Sequence, residues 1–117
     1  MKSLLVFFLA LSTGVFSAFA PHQIFNTSLA VTVRDDLGNT VDSVKVQLFL
    51  KEADFTKEVN SIAEATTDKK GVCHFKKLKP ESYYILARKG DKDNTGGGEK
   101  IGKLENGKFN KITIIIQ

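Results

Sequence analysis

The chain has 117 residues, of which 26% are charged and 42% hydrophobic, and its formal net charge at pH 7 is +4. This length allows one domain. A charge this small, spread along the chain, argues against a nucleic-acid-binding protein. Cys73 is the one cysteine, which excludes an internal disulfide, so an exported domain of this size must be stabilised by packing.

The first twenty residues have the pattern of a secretory signal peptide. Lys2 gives a positive start, residues 4–11 are an unbroken apolar run, and Ala-Phe-Ala at 18–20 offers a small-x-small cleavage site. The apolar run is too short to cross a bilayer, so we expect no stable membrane span. Export would remove 20 of the 117 residues, leave 97 with a net charge of +3, and place them in the periplasm or outside the cell.

Alternation of apolar and polar residues predicts strands in the first half of the exported chain. Residues 21–26 are an irregular arm, and residues 27–34 then alternate as an amphipathic strand. Residues 35–39 predict a turn, because Asp bonds its own backbone and Gly accepts positive φ. Residues 44–51 alternate again as a second strand, in which Phe49 falls on the outward phase.

The middle of the chain predicts a connection and a hairpin. Residues 52–61 break the alternation, and we expect them to cross between sheets with at most a helical turn. Residues 62–67 are a short strand that leads into a central hairpin over residues 66–87. Asp68 and Gly71 bracket a tight turn within it.

The last third of the chain predicts a loop, a weak strand and a strong one. Residues 90–98 are a mobile loop, because adjacent glycines lose much entropy on ordering. Residues 99–104 are a weak strand, and Asn-Gly at 106–107 predicts a hairpin turn. Residues 109–117 form the strong strand, with Ile112, Ile114 and Ile116 on one face. We expect this strand to pair with another strand and its apolar face to be covered, because an exposed strand of this kind is prone to aggregate. Seven or so short strands with regular turns predict an all-β fold, an antiparallel β-sandwich.

A spaced motif resembles the carboxypeptidase regulatory-like domain, a relative of the transthyretin-like and Cna B-type sandwiches. Residues 67–83 read Thr-Asp-x-x-Gly-x-x-x-Phe-x-x-Leu-x-Pro-x-x-Tyr, and residues 33–41 and 44–48 precede them in the family's order. The likeness extends over residues 27–117. It implies a seven-stranded, prealbumin-like sandwich of Greek-key type, in a small stand-alone secreted version found in bacterial cell envelopes.

The resemblance implies that the shared positions are structural and that the domain is an accessory module without a catalytic site. We expect Tyr83 to bury its ring and return its hydroxyl to the backbone. The expected structural core consists of Cys73, Phe75, Leu78, Tyr83, Ile112 and Ile114.

No constellation of residues supports catalysis or a cofactor. Cys73 and His74 are adjacent on a strand, so their side chains point to opposite faces and cannot form a nucleophile and base. The only other histidine is His22. Resemblance to the transthyretin-like hydrolases would imply a site of paired histidines, and the two histidines of this chain lack that setting. We therefore expect no enzyme, no cofactor and no firm metal site.

One loop has the oxygen-rich spacing of a calcium loop. Its weak candidate ligands are Asp91, Asp93, Asn94 and Glu99. Its twelfth position is Gly102, where such a loop requires a bidentate Glu. A flexible polar loop is the simpler interpretation.

The candidate ligand surface combines aromatic and basic residues. Tyr84 and Phe49 fall on outward phases, where they either stack on sugar rings or pack under neighbouring loops. Lys76 and Lys77 belong to a basic cluster that is either a solvated face or a contact for acidic polysaccharide or phosphate-bearing envelope material. We predict a non-enzymatic module with a binding or structural role at the bacterial cell envelope and an envelope protein or glycan as partner. The alternative is a carbohydrate-binding module.

Overall fold

The alternating segments pair into two β-sheets in a computed structural model that describes residues 26–117. The predicted signal peptide (1–20) and residues 21–25 of the predicted arm lie outside the described residues. No helix in the described part of the chain is long and apolar enough to span a membrane. In chain order, the elements are β1 (Thr27–Arg34), β2 (Lys45–Phe49), α1 (Glu52–Lys57), β3 (Ala63–Thr66), β4 (Val72–Leu78), β5 (Tyr83–Lys89), β6 (Lys92–Asp93), β7 (Lys100–Ile101) and β8 (Phe109–Ile115).

One sheet contains a parallel pair of strands, whereas every pair in the other sheet is antiparallel. Sheet A has the order β4-β1-β8, and sheet B has the order β3-β2-β5-β6, with β7 also pairing with β5. The prediction of seven antiparallel strands needs two corrections. Residues 26–117 form eight strands, of which β6 and β7 have 2 residues each. The pair β1–β8 is parallel, running in register from Ser28↔Phe109 to Arg34↔Ile115, because β8 enters sheet A from the same end as β1.

Three connections join different strands from those that the sequence predicted. Residues 52–61 do not cross between sheets, because β2 and β3 are antiparallel neighbours in sheet B with α1 between them. The predicted hairpin over residues 66–87 is also wrong, since β4 lies in sheet A while β3 and β5 lie in sheet B. The turn at 106–107 likewise links β7 of sheet B to β8 of sheet A. Alternation identifies a strand but carries no information about its partner.

The core lies between the sheets and is built from the inward phase of each long strand. Leu29, Val31 and Val33 of β1 are completely buried, as are Val46 and Leu48 of β2. Each such side chain contributes roughly 1.5–3 kcal/mol relative to exposure. The residues expected in the core are Cys73, Phe75, Leu78, Tyr83 and Ile114, which are buried, and Ile112, which is partly buried against them.

Two aspartate turns hold the connections at one end of sheet A. The Asp35 Oδ1 accepts hydrogen bonds from the backbone N–H groups of Leu37 and Asn39, at 3.0 and 2.9 Å. The Asp68 Oδ1 accepts from Lys70 and Val72, at 2.8 and 3.1 Å. Both turns agree with the prediction from the Asp-x-x-Gly spacing.

Candidate functional site

A groove of about 810 Å³ lies on the outer face of sheet B, between α1 and the segment 95–100. Its floor is formed by the rings of Phe55 and Tyr84 and by Leu86. We call it the Tyr84 groove; it is lined chiefly by Glu52, Phe55, Glu58, Tyr84, Leu86 and residues 95–100.

The helix α1 creates one wall of the Tyr84 groove by packing on sheet B. The Phe55 ring lies edge-on to Phe49, with centroids 5.8 Å apart, and lies 5.9 Å from the Tyr84 ring. Phe49 is therefore completely buried, so of the two alternatives for its outward-phase ring, packing under a neighbouring segment is the one observed. The assignment of Phe49 to a ligand surface is corrected by this cover, because its ring cannot contact a bound molecule.

Tyr84 is held at both ends of its side chain. Its hydroxyl donates a hydrogen bond to Glu52 Oε2 at 3.3 Å, and the Lys100 ammonium lies 5.7 Å from its ring centroid. In sheet B it pairs with Phe49 of β2 on one side and Lys100 of β7 on the other. The partly exposed ring thus lies on the floor of the groove, with contacts to both α1 and β7.

Carboxylates outnumber cations around the Tyr84 groove. Glu58 makes two contacts to the Arg88 guanidinium, at 2.6 and 3.0 Å, and these hydrogen bonds lower the Glu58 pKa. Glu99 Oε2 accepts a hydrogen bond from the Gly96 N–H at 2.8 Å. Arg88 neutralises the charge of Glu58. The remaining charged groups of the lining are the carboxylates of Glu52 and Glu99 and the ammonium of Lys100. The groove is mildly anionic and rich in hydrogen-bond acceptors.

A buried amide positions the opposite wall of the groove. Asn94 is 2% exposed; its Oδ1 accepts from the Ala87 N–H at 2.8 Å, and its Nδ2 donates to the Ile85 carbonyl at 2.9 Å. A longer contact of 3.4 Å reaches the Gly98 carbonyl. The predicted mobile loop over 90–98 therefore contains β6 and a polar side chain that fastens it to β5.

Three of the four weak calcium candidates use their side-chain oxygens in hydrogen bonds to the protein itself. Asp93 Oδ1 accepts from the Thr95 hydroxyl at 2.6 Å and from its N–H at 3.0 Å. These bonds, with Arg88 nearby, lower the Asp93 pKa. Asn94 and Glu99 are engaged as described above, and Asp91 is exposed. Within residues 26–117, no group of three or more His, Cys, Asp or Glu side chains could hold a metal ion.

Lys76 and Lys77 are separated from Tyr84 by the thickness of the sandwich. They belong to β4 in sheet A and line a different recess, whereas Tyr84 lies on the outer face of sheet B. The four residues of the predicted ligand surface therefore do not form one surface: one is buried, one lines the groove, and two lie on the far sheet.

Cys73 and His74 point to opposite faces of β4. Cys73 is 3% exposed, and burial raises the pKa of its thiol to about 11, with the Asp68 charge adding to the effect. The thiol is protonated at neutral pH and cannot act as a thiolate nucleophile. His74 is exposed on the outer face of sheet A.

Phe55 and Glu52 complete the Tyr84 groove, and the alternation of apolar and polar residues did not indicate either of them. Both lie in the segment that the sequence assigned to a connection. Phe55 is the only aromatic residue of α1 and is surrounded by charged and small residues. This isolated ring is the feature of the sequence from which the packing of the segment could have been predicted. A large apolar side chain in an otherwise polar segment indicates that one side of the segment packs on something.

No family model matches the chain, and no curated protein matches it. Its fold is similar to that of the group B streptococcus pilus 2b backbone protein, with 14% identity and a TM-score of 0.57 over 78% of this chain. The chain spans 40% of that protein's length. A candidate carbohydrate-binding protein from Pseudomonas aeruginosa aligns over 82% of this chain and 92% of its own, with 17% identity and a TM-score of 0.49. The pilus protein's similarity shows a shared β-sandwich fold, and membership of the carboxypeptidase regulatory-like family stays a prediction.

Proposed function

We propose that this chain is a non-enzymatic, exported module of the bacterial cell envelope and that its Tyr84 groove binds a neutral glycan. The observation that carries the proposal is the pair of partly exposed rings, Phe55 and Tyr84, on the floor of a groove of about 810 Å³. Clefts of this size that combine aromatic side chains with a few placed polar groups are common among ligand sites.

The chemistry of the lining suits a sugar. The apolar face of a pyranose ring can pack on the Tyr84 ring, which is rigid and amphipathic. Sugar hydroxyls can donate to Glu52 and Glu99, whose carboxylates accept hydrogen bonds only. No atom within 4 Å would contact a Cβ on Gly96 or Gly97, so the backbone of this wall is open to a close approach.

The charge of the groove favours a neutral ligand over an acidic one. Glu52 and Glu99 would repel a uronate or phosphate at this face, and Lys100 offsets only part of that repulsion. The pKa of Glu58 is lowered by Arg88, whereas the general acid of a glycosidase needs a raised pKa. These features support binding rather than hydrolysis.

The proposed location rests on residues 1–20, whose pattern is that of a signal peptide. The pilus backbone protein offers a parallel, since it is a bacterial protein in which a similar sandwich occurs.

The proposal can be tested by native electrophoresis of the cationic protein in gels that contain laminarin, neutral arabinoxylan or galactomannan. We expect at least one of these neutral polysaccharides to retard the wild-type protein, and Tyr84→Ala to abolish that retardation. Tyr84→Phe should remain retarded, because it keeps the stacking ring. Phe109→Ala removes an exposed ring from the opposite sheet and is the matched control. Equal mobility of wild type and Tyr84→Ala in every gel would end the carbohydrate proposal.

A structural role is the second candidate, and one observation favours it. The strand β8 lies at the edge of sheet A, with no strand on its outer side among residues 26–117, and Ile115 is 44% exposed there. Exposed apolar edge strands can pair with another chain. Sedimentation equilibrium tests this role: a wild-type oligomer dissociated by Ile115→Lys supports it, and a monomer at high protein concentration contradicts it.

A further inference from the structure

The outer face of sheet A contains two adjoining recesses of about 300 and 310 Å³, which share His74 and Phe109 in their linings. This face is on the opposite side of the sandwich from the Tyr84 groove. We call it the Phe109 face; its main residues are Ser28, Ala30, His74, Lys76, Lys77, Phe109 and Lys111.

The register of sheet A makes the Phe109 face a trough. The central strand β1 contributes small side chains, with Ser28 beside Phe109 and Ala30 between His74 and Lys111. Paired residues in neighbouring strands lie on the same face of a sheet. The larger side chains of β4 and β8 therefore flank a low centre line.

A bulge in β4 adds a second lysine at one end of the trough. Thr27 pairs with Leu78, and Leu29 pairs with Phe75. Between these two pairs β1 has one residue, Ser28, whereas β4 has two, Lys76 and Lys77, so both lysines lie opposite Ser28. Lys77 has φ +57°, a left-handed conformation that is unfavourable for a residue with a side chain. Both lysines are exposed and line the same recess as Phe109.

The charge of this face is opposite to that of the Tyr84 groove. No acidic residue lines either recess in the described part of the chain. Lys76, Lys77 and Lys111 form no ion pair with residues 26–117. The face thus has three cationic groups available for an anionic ligand.

An exposed ring lies among these charges. Phe109 is 57% exposed, its centroid is 6.1 Å from that of His74, and the Lys111 ammonium lies 5.7 Å from it. A phosphate chain makes no use of an apolar ring, whereas the face of a sugar does. The combination of ring and lysines therefore favours a charged sugar over a phosphate polymer.

We propose that the Phe109 face binds an acidic polysaccharide, with uronate carboxylates paired to Lys76, Lys77 and Lys111 and a sugar ring packed on Phe109. The site is separate from the Tyr84 groove in both position and charge. It goes beyond the proposed function and does not depend on it.

Calorimetric titration of the purified protein with polygalacturonate tests this site, with galactan as the neutral probe and polyphosphate as the phosphate-bearing probe. We expect wild type to bind polygalacturonate, more weakly as salt is raised, and not to bind galactan at this face. The triple variant Lys76→Gln, Lys77→Gln, Lys111→Gln should bind polygalacturonate about tenfold more weakly or worse, since three ion pairs are lost. Phe109→Ala should weaken polygalacturonate binding and leave any polyphosphate binding unchanged.

The matched control removes the same charge elsewhere. Lys51, Lys57 and Lys103 are exposed and form no ion pair with described residues, so their triple change to Gln should keep wild-type affinity. Tyr84→Ala should also keep it, which separates this site from the neutral-glycan groove. Melting temperatures would verify that each variant is folded.

Three results would overturn the proposal. The first is no binding of polygalacturonate by wild type at low salt. The second is equal loss of affinity in the two triple variants, which would indicate non-specific attraction. The third is tighter binding of polyphosphate, unaffected by Phe109→Ala, which would assign the face to phosphate-bearing polymers.

Discussion

The Tyr84 hydroxyl donates a hydrogen bond to the Glu52 carboxylate at 3.3 Å, which ties the first turn of α1 to β5 across the outer face of sheet B. Its neighbour Tyr83 points into the core, where its hydroxyl donates to the Lys79 carbonyl at 2.6 Å. Adjacent tyrosines thus have different tasks, because successive side chains of a strand lie on opposite faces. Tyr83 fastens the loop between β4 and β5, and Tyr84 forms part of the floor of the groove.

The assignment of faces in β4 predicts different effects for two neighbouring residues. Phe75 is 4% exposed in the core, so Phe75→Ala should lower the free energy of unfolding by about 3–5 kcal/mol. His74 is exposed, and His74→Ala should change it by less than about 0.5 kcal/mol. Urea denaturation measures both, and equal midpoints for the two variants would show that the face assignment is wrong.

Gly71 should tolerate a side chain far less well than Gly90. Both have positive φ, which predicts a loss of about 1–2 kcal/mol for either Gly→Ala change. A Cβ at Gly71 would also lie 2.8 Å from Thr40 Cβ and 3.0 Å from Val41 N, whereas nothing lies within 4 Å at Gly90. Overpacking should add about 1–3 kcal/mol to the Gly71→Ala loss. Equal stabilities in thermal unfolding would contradict the close approach of these turns.

The two aspartate turns predict a loss of stability in acid. Hydrogen bonds from backbone N–H groups, chiefly those of Asn39 and Val72, lower the pKa values of Asp35 and Asp68 below their ordinary 3.8. The unfolded chain therefore binds protons more readily than the folded one. The stabilisation that these two carboxylates contribute is complete above about pH 3.8. It is lost as the pH falls through their lowered pKa values in the folded state.

The corresponding measurement is the melting temperature from about pH 5 to about pH 2. The double variant Asp35→Asn, Asp68→Asn keeps an acceptor oxygen in each turn but removes the titrating group. Its melting temperature should fall less steeply with decreasing pH than that of wild type. Parallel curves for the two proteins would contradict the role of these carboxylates.

Cys73 should be chemically inert until the protein unfolds. Its thiol is buried and its pKa is raised to about 11, so little thiolate exists at about pH 8. Iodoacetamide should leave the native protein unmodified and label it readily in urea, as mass spectrometry can follow. Equal labelling rates in the two conditions would mean that the core around β4 is open.

Local patterns predicted the strands and turns of this fold well. The bounds of β1 agree with the predicted strand over residues 27–34, and the Asp-x-x-Gly spacing identified both aspartate turns. Alternation and turn chemistry depend on neighbouring residues, so they can be recognised from the sequence alone.

Pairing and surface cover could not be predicted in the same way. β4 and β5 look like a hairpin in sequence but lie in different sheets, and β8 pairs in parallel with a strand from the other end of the domain. Phe49 has an outward phase, yet Phe55 of the six-residue α1 packs over it. Each of these features depends on contacts between distant residues. The sequence consequently indicated Tyr84 but not the groove around it.

An amide chemical-shift map of the ¹⁵N-labelled protein can show whether neutral glycans bind in the Tyr84 groove, as we propose. Titration with laminarihexaose, xylohexaose and mannohexaose should give saturable shifts, with at least one of them, at Phe55, Tyr84 and residues 95–100. Strands β4 and β8 on the far sheet should not respond. Saturable shifts confined to β4 and β8, or no shift with any of the three sugars at millimolar concentration, would contradict a glycan site in the Tyr84 groove.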